Sequence, residues 1–320
     1  MKRRDFIRAT ALSVPLAGMF PAELLSIERE INAGKIEKRS LGKTGVKLSM
    51  IGFGGIVVMD ATPEQASLRV KEAIDYGVNY FDVAPSYGNA EQMLGPALEP
   101  YRKDVFLACK TGERGREGSR RELEQSLRNL RTDHFDLYQL HAVTSMQDVD
   151  EIFGQNGAIE TFLEARNEGK VRFLGFSAHS VEAALELMNR FSFDTILFPF
   201  NYATWHAGNF GPQVMEKAKE KGMGILALKA MAKQPWLEGV EKTVAKTWYE
   251  PFSKPEDANK GLRFTLSHPV TAAIPPGDEK LFSLALRLAL DFKPLNAGEV
   301  EEMKTLGHHA KPLFRYPMQG

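Results

Sequence analysis

The chain has 320 residues, 43% of them hydrophobic, and its 41 basic side chains balance 41 acidic ones. This length and apolar content suit one large α/β barrel or two ordinary domains. With zero formal net charge and no long basic run, the sequence lacks the electrostatic footprint of a nucleic-acid-binding protein. The one cysteine, Cys109, excludes an intramolecular disulfide and a cysteine-ligated metal cluster, and its apolar neighbours predict a buried thiol.

The first twenty residues, MKRRDFIRATALSVPLAGMF, combine a basic start with a short apolar run that Pro15 and Gly18 interrupt. This is the layout of a secretory signal, and the run is too short for a membrane span. The paired arginines, Arg3 and Arg4, resemble a twin-arginine signal, which bacteria use to export folded proteins. We therefore predict an export signal and linker over residues 1–32, recognition by the twin-arginine export machinery, and a periplasmic location. An uncleaved, anchoring signal and an ordinary basic N-terminus are the alternatives.

From residue 33 to residue 320 the sequence predicts a single domain in which apolar runs alternate with helical patterns. IEKRSLGKTGVKLSM, with its turn glycines Gly42 and Gly45, predicts an N-terminal β-hairpin. The predicted strands that follow are SMIGFG, NYFDVA, DVFLACK, FDLYQLH, VRFLGFS, DTILFPF, GILALK and VTAAIPP. The segments between them, such as PEQASLRVKEAIDYG and SVEAALELMNRF, have apolar residues at helical spacing.

Eight strands alternating with helices indicate a parallel sheet that is buried on both faces. Eight such units close into a (β/α)8 TIM barrel, which is the fold class we predict. A doubly wound open sheet is the alternative fold. It is disfavoured because the glycines after the first strand, at 52, 54 and 55, do not form a G-x-G-x-x-G motif and no helix follows at once.

Three ionisable residues end three successive predicted strands. Asp82 ends NYFD, Lys110 ends VFLACK and His141 ends FDLYQLH, while Tyr87 follows in the loop after the first of these strands. Barrel enzymes carry their active sites at the carboxyl ends of the strands. An unpaired charge at such a buried position would be costly, whereas a Lys–Asp pair beside a phenol keeps both groups charged.

Together these four groups suit one kind of chemistry. A tyrosine hydroxyl has an ordinary pKa of about 10, and a neighbouring ammonium group lowers it. A histidine can donate a hydrogen bond to an oxygen that lies between it and the tyrosine. Such a site favours a carbonyl oxygen that gains negative charge and then a proton. Because protein side chains cannot supply hydride, a nicotinamide cofactor is implied.

At these residues the sequence resembles the aldo-keto reductase family, over approximately residues 38–292. The motifs that carry the resemblance are FDVAPSYGNAEQMLG, VFLACKTG, FDLYQLH and KVRFLGFSAH, in the family's order. The resemblance implies an NAD(P)H-dependent reduction of an aldehyde or ketone to an alcohol. It implies that Tyr87 is the acid, that Lys110 activates it, that Asp82 supports Lys110, and that His141 orients the carbonyl.

The resemblance also implies an extended NADPH across the strand ends. Ser177 and Asn201 would hold the nicotinamide carboxamide, and Ile274, Pro275 and Gly277 would lie along the phosphates or the adenosine ribose. The alternative for Ser177 and Asn201 is that both only cap or bridge strand ends. Lys280 and Arg287 are the basic candidates for gripping a 2′-phosphate. NADH is the alternative cofactor, because the acids at 278 and 279 follow the loop and an acid near the ribose favours NADH.

Other readings stay open at this point. A cofactor-binding sensor with little turnover would keep the same residues. A Schiff-base lyase could use Lys110, but it would leave Tyr87 and Asp82 unexplained. A metal-dependent hydrolase would need an H-x-H pair early in the chain to bind its metal. The sequence lacks such a pair, and we predict no metal site.

Three further features are predicted near the pocket. The segments 234–252 and 142–158 follow predicted strands on the catalytic side and are candidate pocket walls. At the strand-seven end, where many relatives carry an aromatic, this sequence has Leu228 and Lys229. His179 either faces the pocket or belongs to the turn in which Ser180 caps the next helix.

Overall fold

The computed structural model describes residues 34–317. The predicted export signal at residues 1–32 lies outside these residues. Within them, no helix combines the length and the apolar character needed to cross a lipid bilayer.

An antiparallel hairpin opens the described chain, with β1 at Lys38–Ser40 and β2 at Lys47–Ser49. Leu41 and Leu48 are fully buried and pack against residues near the amino ends of the barrel strands, including Tyr80. The hairpin that the turn glycines predicted is therefore present, and it closes the amino end of the barrel. Gly42 has a φ of +51°, and a side-chain carbon there would clash with the backbone nitrogen of Gly224.

The barrel itself is an eight-stranded parallel sheet. In their order around the sheet, its strands are β12 Ala272–Ile274, β9 Gly224–Leu228, β8 Thr195–Pro199, β7 Val171–Ala178, β6 Phe135–Val143, β5 Phe106–Thr111, β4 Tyr80–Asp82 and β3 Phe53–Gly54. The Gly52 amide donates to the Ala273 carbonyl at 3.0 Å, and the Ala273 amide donates to the Met50 carbonyl at 2.9 Å. These bonds join the two edges of the sheet, so the predicted (β/α)8 barrel is confirmed.

Helices cover the outside of the sheet. They are α1 Pro63–Asp75, α2 Ala90–Leu98, α3 Arg116–Asn129, α4 Met146–Phe153, α5 Ala158–Asn167, α6 Val181–Arg190, α7 Tyr202–His206, α8 Pro212–Glu220, α9 Pro255–Leu266, α10 Glu279–Leu290 and α11 Ala297–His309. Side chains fix several of their starts: Thr62 and Asn296 form capping boxes, and Ser180 caps α6 as predicted. The apolar faces of these helices and the outer faces of the strands form one continuous core.

The segment after β9 differs from the loop that the sequence predicted. It contains a second antiparallel pair, β10 Ala232–Pro235 and β11 Tyr249–Pro251. Glu250 accepts hydrogen bonds from Lys233 at 2.6 Å and from Gln234 at 2.8 Å across this pair. The strands are short, partly polar and separated by a long turn, so the sequence shows neither the alternation nor the two-residue turn that marks a hairpin.

Candidate active site

The structure brings the four predicted catalytic residues together at the carboxyl end of the barrel. Asp82 ends β4, Lys110 lies near the end of β5, His141 lies in β6, and Tyr87 lies in the loop between β4 and α2. All four line one cavity of about 240 Å³. Parallel strands of a closed sheet place their carboxyl ends on one rim, which is why residues distant in sequence meet here.

Asp82 and Lys110 form a buried salt bridge, with side-chain exposures of 2% and 1%. The second carboxylate oxygen of Asp82 accepts hydrogen bonds from the Tyr80 hydroxyl at 3.1 Å and from Gln139 Nε2 at 2.9 Å. Burial disfavours the Lys110 ammonium, but the Asp82 carboxylate and the Tyr87 oxygen outweigh it, and the pKa of Lys110 lies above its ordinary value. Lys110 therefore stays charged although it is buried.

Tyr87 accepts a hydrogen bond from Lys110, with 3.4 Å between its hydroxyl oxygen and Nζ. Burial raises the pKa of the Tyr87 phenol above its ordinary value, Lys110 opposes that rise, and Asp82 adds to it. The sequence-based expectation of a pKa below 10 is therefore wrong for the protein without ligands, because desolvation of the phenolate outweighs the neighbouring ammonium. The phenol remains protonated near neutral pH, which is the form that can donate a proton.

His141 faces Tyr87, with the two ring centroids 5.6 Å apart and the planes nearly perpendicular. Burial, and then the charge of Lys110, lowers the pKa of His141 to about 3. The imidazole is therefore neutral, so one ring nitrogen carries a hydrogen and the other accepts. Ser86 Oγ lies 3.4 Å from Nδ1, and a serine hydroxyl that donates there leaves the hydrogen on Nε2.

Sequence reasoning missed two residues that support His141. One is Ser86, which contacts its ring. The other is Arg114, whose Nη2 donates to the His141 carbonyl at 2.9 Å and whose Nε donates to Asp148 at 3.1 Å. Arg114 thus fixes the backbone beside the His141 side chain. Neither residue follows a strand end directly, so no sequence pattern singled them out.

The two residues predicted to hold the nicotinamide carboxamide, Ser177 and Asn201, differ in their contacts. Ser177 lines the cavity, and its hydroxyl accepts from the Ala142 amide at 2.7 Å. Asn201 is 1% exposed and caps α7 by accepting from the Thr204 amide at 2.9 Å. Its amide nitrogen is buried and has no partner within residues 34–317. Both side chains thus accept a hydrogen bond from a backbone amide. The Asn201 amide nitrogen, just after β8, is a donor without an acceptor among the described residues.

The last residue of β12, Ile274, and the loop that follows, with Pro275 and Gly277, line the cavity as expected. Lys280 is exposed in the first turn of α10 and lies outside the cavity lining. Asp278 caps α10 through hydrogen bonds from the amides of Lys280 and Leu281, both at 3.0 Å. The carboxylate that the sequence suggested as a ribose partner is thus engaged at the helix N-terminus.

Of the predicted walls, the one around β11 lines the cavity. Trp248 and Tyr249 face it, whereas Trp236 donates from Nε1 to the Thr247 carbonyl at 3.1 Å and is not part of the lining. The segment 142–158 contributes none of the lining side chains described, because it folds away into α4 and the loop that follows.

Two more residues complete the pocket. His179 lines it, and its ring stacks on Phe314 at a centroid distance of 5.1 Å. Lys246 reaches from the β10–β11 turn to the Val57 carbonyl at 3.3 Å. Nothing in the local sequence indicated that Lys246 would cross to this side of the barrel.

A phenol, an ammonium–carboxylate pair and a neutral imidazole around one cavity match the chemistry of carbonyl reduction. The model of the Aldo/keto reductase family matches residues 50–304, which is most of the chain. The chain belongs to the aldo/keto reductase family. It is therefore an NAD(P)-dependent oxidoreductase.

Relatives of this aldo/keto reductase span most of its length. An uncharacterized oxidoreductase, YqkF, of Bacillus subtilis is 26% identical over 309 residues, which is 86% of this chain and 97% of the relative. An L-galactose dehydrogenase of Arabidopsis thaliana is 30% identical over 215 residues, covering 62% of this chain and 66% of the plant protein. The structure of the aldo-keto reductase AKR11C1 from Bacillus halodurans, in its holo form, superposes with a TM-score of 0.70 at 24% identity. That superposition covers 88% of this chain and 99% of the other, and it supports the fold.

Proposed function

We propose that this aldo/keto reductase reduces an aldehyde or a ketone to an alcohol, with Tyr87 as the proton donor. The observation that carries the proposal is the contact between the Tyr87 hydroxyl and the Lys110 ammonium, 3.4 Å apart, in a cavity that His141 also lines. The protonated phenol and the neutral imidazole both point to a site for a carbonyl oxygen.

The residues present suit a nicotinamide cofactor. The buried amide nitrogen of Asn201 has no partner in the described part of the chain, and the Ser177 hydroxyl lines the cavity. These two would hold the carboxamide, while Ile274, Pro275 and Gly277 would lie along the rest of the cofactor. When bound, the cofactor supplies a hydride to the carbonyl carbon.

The side chains of the chain itself then act on the oxygen. His141 donates a hydrogen bond from Nε2 to the carbonyl oxygen and orients it. As negative charge develops there, the Tyr87 hydroxyl gives up its proton, and Lys110 stabilises the phenolate that remains. Asp82 keeps Lys110 charged through their buried salt bridge. A positioned acid of this kind contributes a factor of about 10²–10⁴ in rate.

The test is the oxidation of NADPH, followed by absorbance, with a panel of aldehydes and ketones. We expect turnover with several of them. Binding of the cofactor without oxidation for every carbonyl compound would contradict the proposal and favour a cofactor-binding sensor.

For the cofactor we propose NADPH in preference to NADH, with Lys280 as the partner of the 2′-phosphate. Lys280 is exposed and follows Gly277, which lines the cavity, by three residues, so its side chain is available to the distal part of an extended ligand. We expect Lys280→Ala to raise the KM for NADPH and to leave the KM for NADH unchanged. Equal KM values for the two cofactors in the unmodified enzyme would contradict the preference.

We also propose that the protein is exported to a bacterial periplasm through the signal at its N-terminus. The support is the sequence MKRRDFIRATALSVPLAGMF, with its paired arginines. Cell fractionation should find the unmodified protein in the periplasm and the Arg3→Lys, Arg4→Lys double variant in the cytoplasm. A cytoplasmic location for both would contradict export.

A further inference from the structure

Lys229 is a second lysine in the active-site cavity, and the carbonyl-reduction mechanism does not use it. It directly follows β9, has a φ of +67°, and lines the cavity. Its Nζ lies 5.4 Å from the ring centroid of Trp248 and 5.1 Å from that of Tyr249. A non-glycine residue in the left-handed region is uncommon, and such conformations concentrate at functional sites.

Unlike Lys110, Lys229 has no carboxylate partner among residues 34–317. Within residues 34–317 no salt bridge and no hydrogen bond involves its side chain, and the contacts to the two aromatic rings are what hold it. Lys229 is half-buried, and holding an ammonium group in a partly desolvated cavity without a counter-ion is costly. An amine kept in a ligand cavity under these conditions is suited to an anion that arrives with the ligand.

The surroundings of Lys229 are basic. Burial, and then the charge of Lys110, lowers the pKa of Lys229 to about 8. The other titratable groups near it are Tyr249, whose pKa burial raises, and His141 and His179. Asp82 is the carboxylate among the cavity-lining residues, and Lys110 already binds it. The cavity therefore carries uncompensated positive charge at and below neutral pH.

His179 offers a second group for the same anion. Its Nε2 is buried and has no partner among the residues that the structure describes. Burial, and then the charge of Lys229, lowers the pKa of His179 to about 4, so its ring is neutral and can donate one hydrogen bond.

The position of Lys229 favours the substrate over the cofactor as the source of this anion. Its charged and titratable neighbours are Lys110, His141, His179 and Tyr249. Of these, Lys110 and His141 belong to the proposed carbonyl site. The loop proposed for the cofactor has another cation, because Lys246 has Arg69, Asp278 and Glu279 as its neighbours.

We propose that Lys229 binds a carboxylate on the carbonyl substrate, with His179 donating a hydrogen bond to the same group. The substrate is therefore an oxo acid or an aldehyde acid, and Lys229 is a specificity-determining residue. This inference depends on the proposed carbonyl reduction. The rings of Trp248 and Tyr249 flank the resulting ion pair.

The test compares matched carbonyl compounds, with and without a carboxylate: succinic semialdehyde against butanal, and 4-carboxybenzaldehyde against 4-methylbenzaldehyde. The ratio of kcat/KM values, acid over neutral compound, is measured for the unmodified enzyme and for Lys229→Met and Lys229→Arg. We expect a ratio of at least about tenfold that Lys229→Met lowers to near one and that Lys229→Arg retains. Lys233→Met, which removes a lysine that pairs with Glu250, serves as the matched control and should leave the ratio unchanged.

The pH dependence gives a second readout. Because deprotonation removes the charge of Lys229, the ratio should fall in the unmodified enzyme as pH rises through about 8. With Lys229→Arg it should stay constant there, since arginine remains charged.

Other outcomes separate this inference from the proposed function. Turnover of butanal or 4-methylbenzaldehyde with a ratio near one in the unmodified enzyme would overturn the inference and leave carbonyl reduction standing. A cofactor dissociation constant raised by Lys229→Met, with an unchanged ratio, would assign Lys229 to the cofactor diphosphate and overturn the inference as well. No oxidation with any carbonyl compound would overturn the proposed function itself.

Discussion

The Lys110 ammonium lies 3.4 Å from the Tyr87 hydroxyl and at the same time forms a salt bridge with Asp82. The first interaction places a positive charge beside the oxygen that must carry negative charge after proton transfer. The second keeps that charge in place, although Lys110 is fully buried. The phenol is thus protonated before the reaction, and its phenolate has a counter-ion afterwards.

Replacement of Lys110 by methionine should slow carbonyl reduction by a factor of about 10²–10⁴. Without the ammonium, nothing opposes the burial that raises the pKa of Tyr87, so the alkaline limb of the pH–rate profile should move to higher pH. Steady-state rates across the pH range check both effects. An unchanged alkaline limb would show that the limb does not report Tyr87.

Asp82→Asn should destabilise the fold by about 3–5 kcal/mol, because it leaves the Lys110 charge buried without its partner. The midpoint of urea unfolding measures this loss. The matched control is Asp75→Asn, which breaks the exposed pair with Lys71 and should leave the midpoint unchanged. Equal midpoints for the two variants would contradict the role assigned to the buried pair.

Stability should fall as pH falls below about 6.5, the ordinary histidine pKa. In the folded protein the pKa of His141 is about 3 and that of His179 about 4, so between these values and 6.5 the unfolded chain binds more protons. His141→Gln should lower the slope of unfolding free energy against pH by about one proton over this range. The exposed His309→Gln is the control, and the same loss of slope in both variants would refute the assignment.

The hairpin that closes the amino end of the barrel makes its own prediction. Gly42→Ala should cost more stability than Gly45→Ala, although both glycines have positive φ angles. Each substitution strains the backbone by about 1–3 kcal/mol. The methyl group at Gly42 also meets the Gly224 backbone, whereas at Gly45 no atom of the described residues lies within 4 Å. Thermal unfolding compares the two variants, and equal melting temperatures would contradict the close approach.

Much of the site could be predicted because parallel strands place their carboxyl ends on one rim. Asp82, Lys110 and His141 could be placed together once their strands were recognised from apolar runs. Tyr87 was grouped with them from its position in the loop after the first of these strands, and its role as the acid came from the family resemblance. The structure brings its hydroxyl to Lys110. The direction of its pKa shift could not be predicted, because desolvation depends on how deeply the finished fold encloses the ring.

Other parts of the site depend on contacts that no local pattern encodes. That Lys229 has no counter-ion in the described part of the chain becomes apparent when its neighbours in space are known. The contact of Lys246 with the Val57 carbonyl joins residues far apart in sequence. The capping role of Asn201 depends on the short helix α7, which has too few residues to show a helical period.

The most direct test of the account is the single-turnover rate of hydride transfer in Tyr87→Phe, measured with saturating cofactor and a reducible aldehyde. Tyr101→Phe, which alters a tyrosine outside the cavity lining, is the control. We predict that Tyr87→Phe binds the cofactor with unchanged affinity and reduces the aldehyde at least about 10²-fold more slowly, while the control keeps the full rate. A Tyr87→Phe rate within about twofold of the unmodified enzyme would contradict the assignment of Tyr87 as the proton donor.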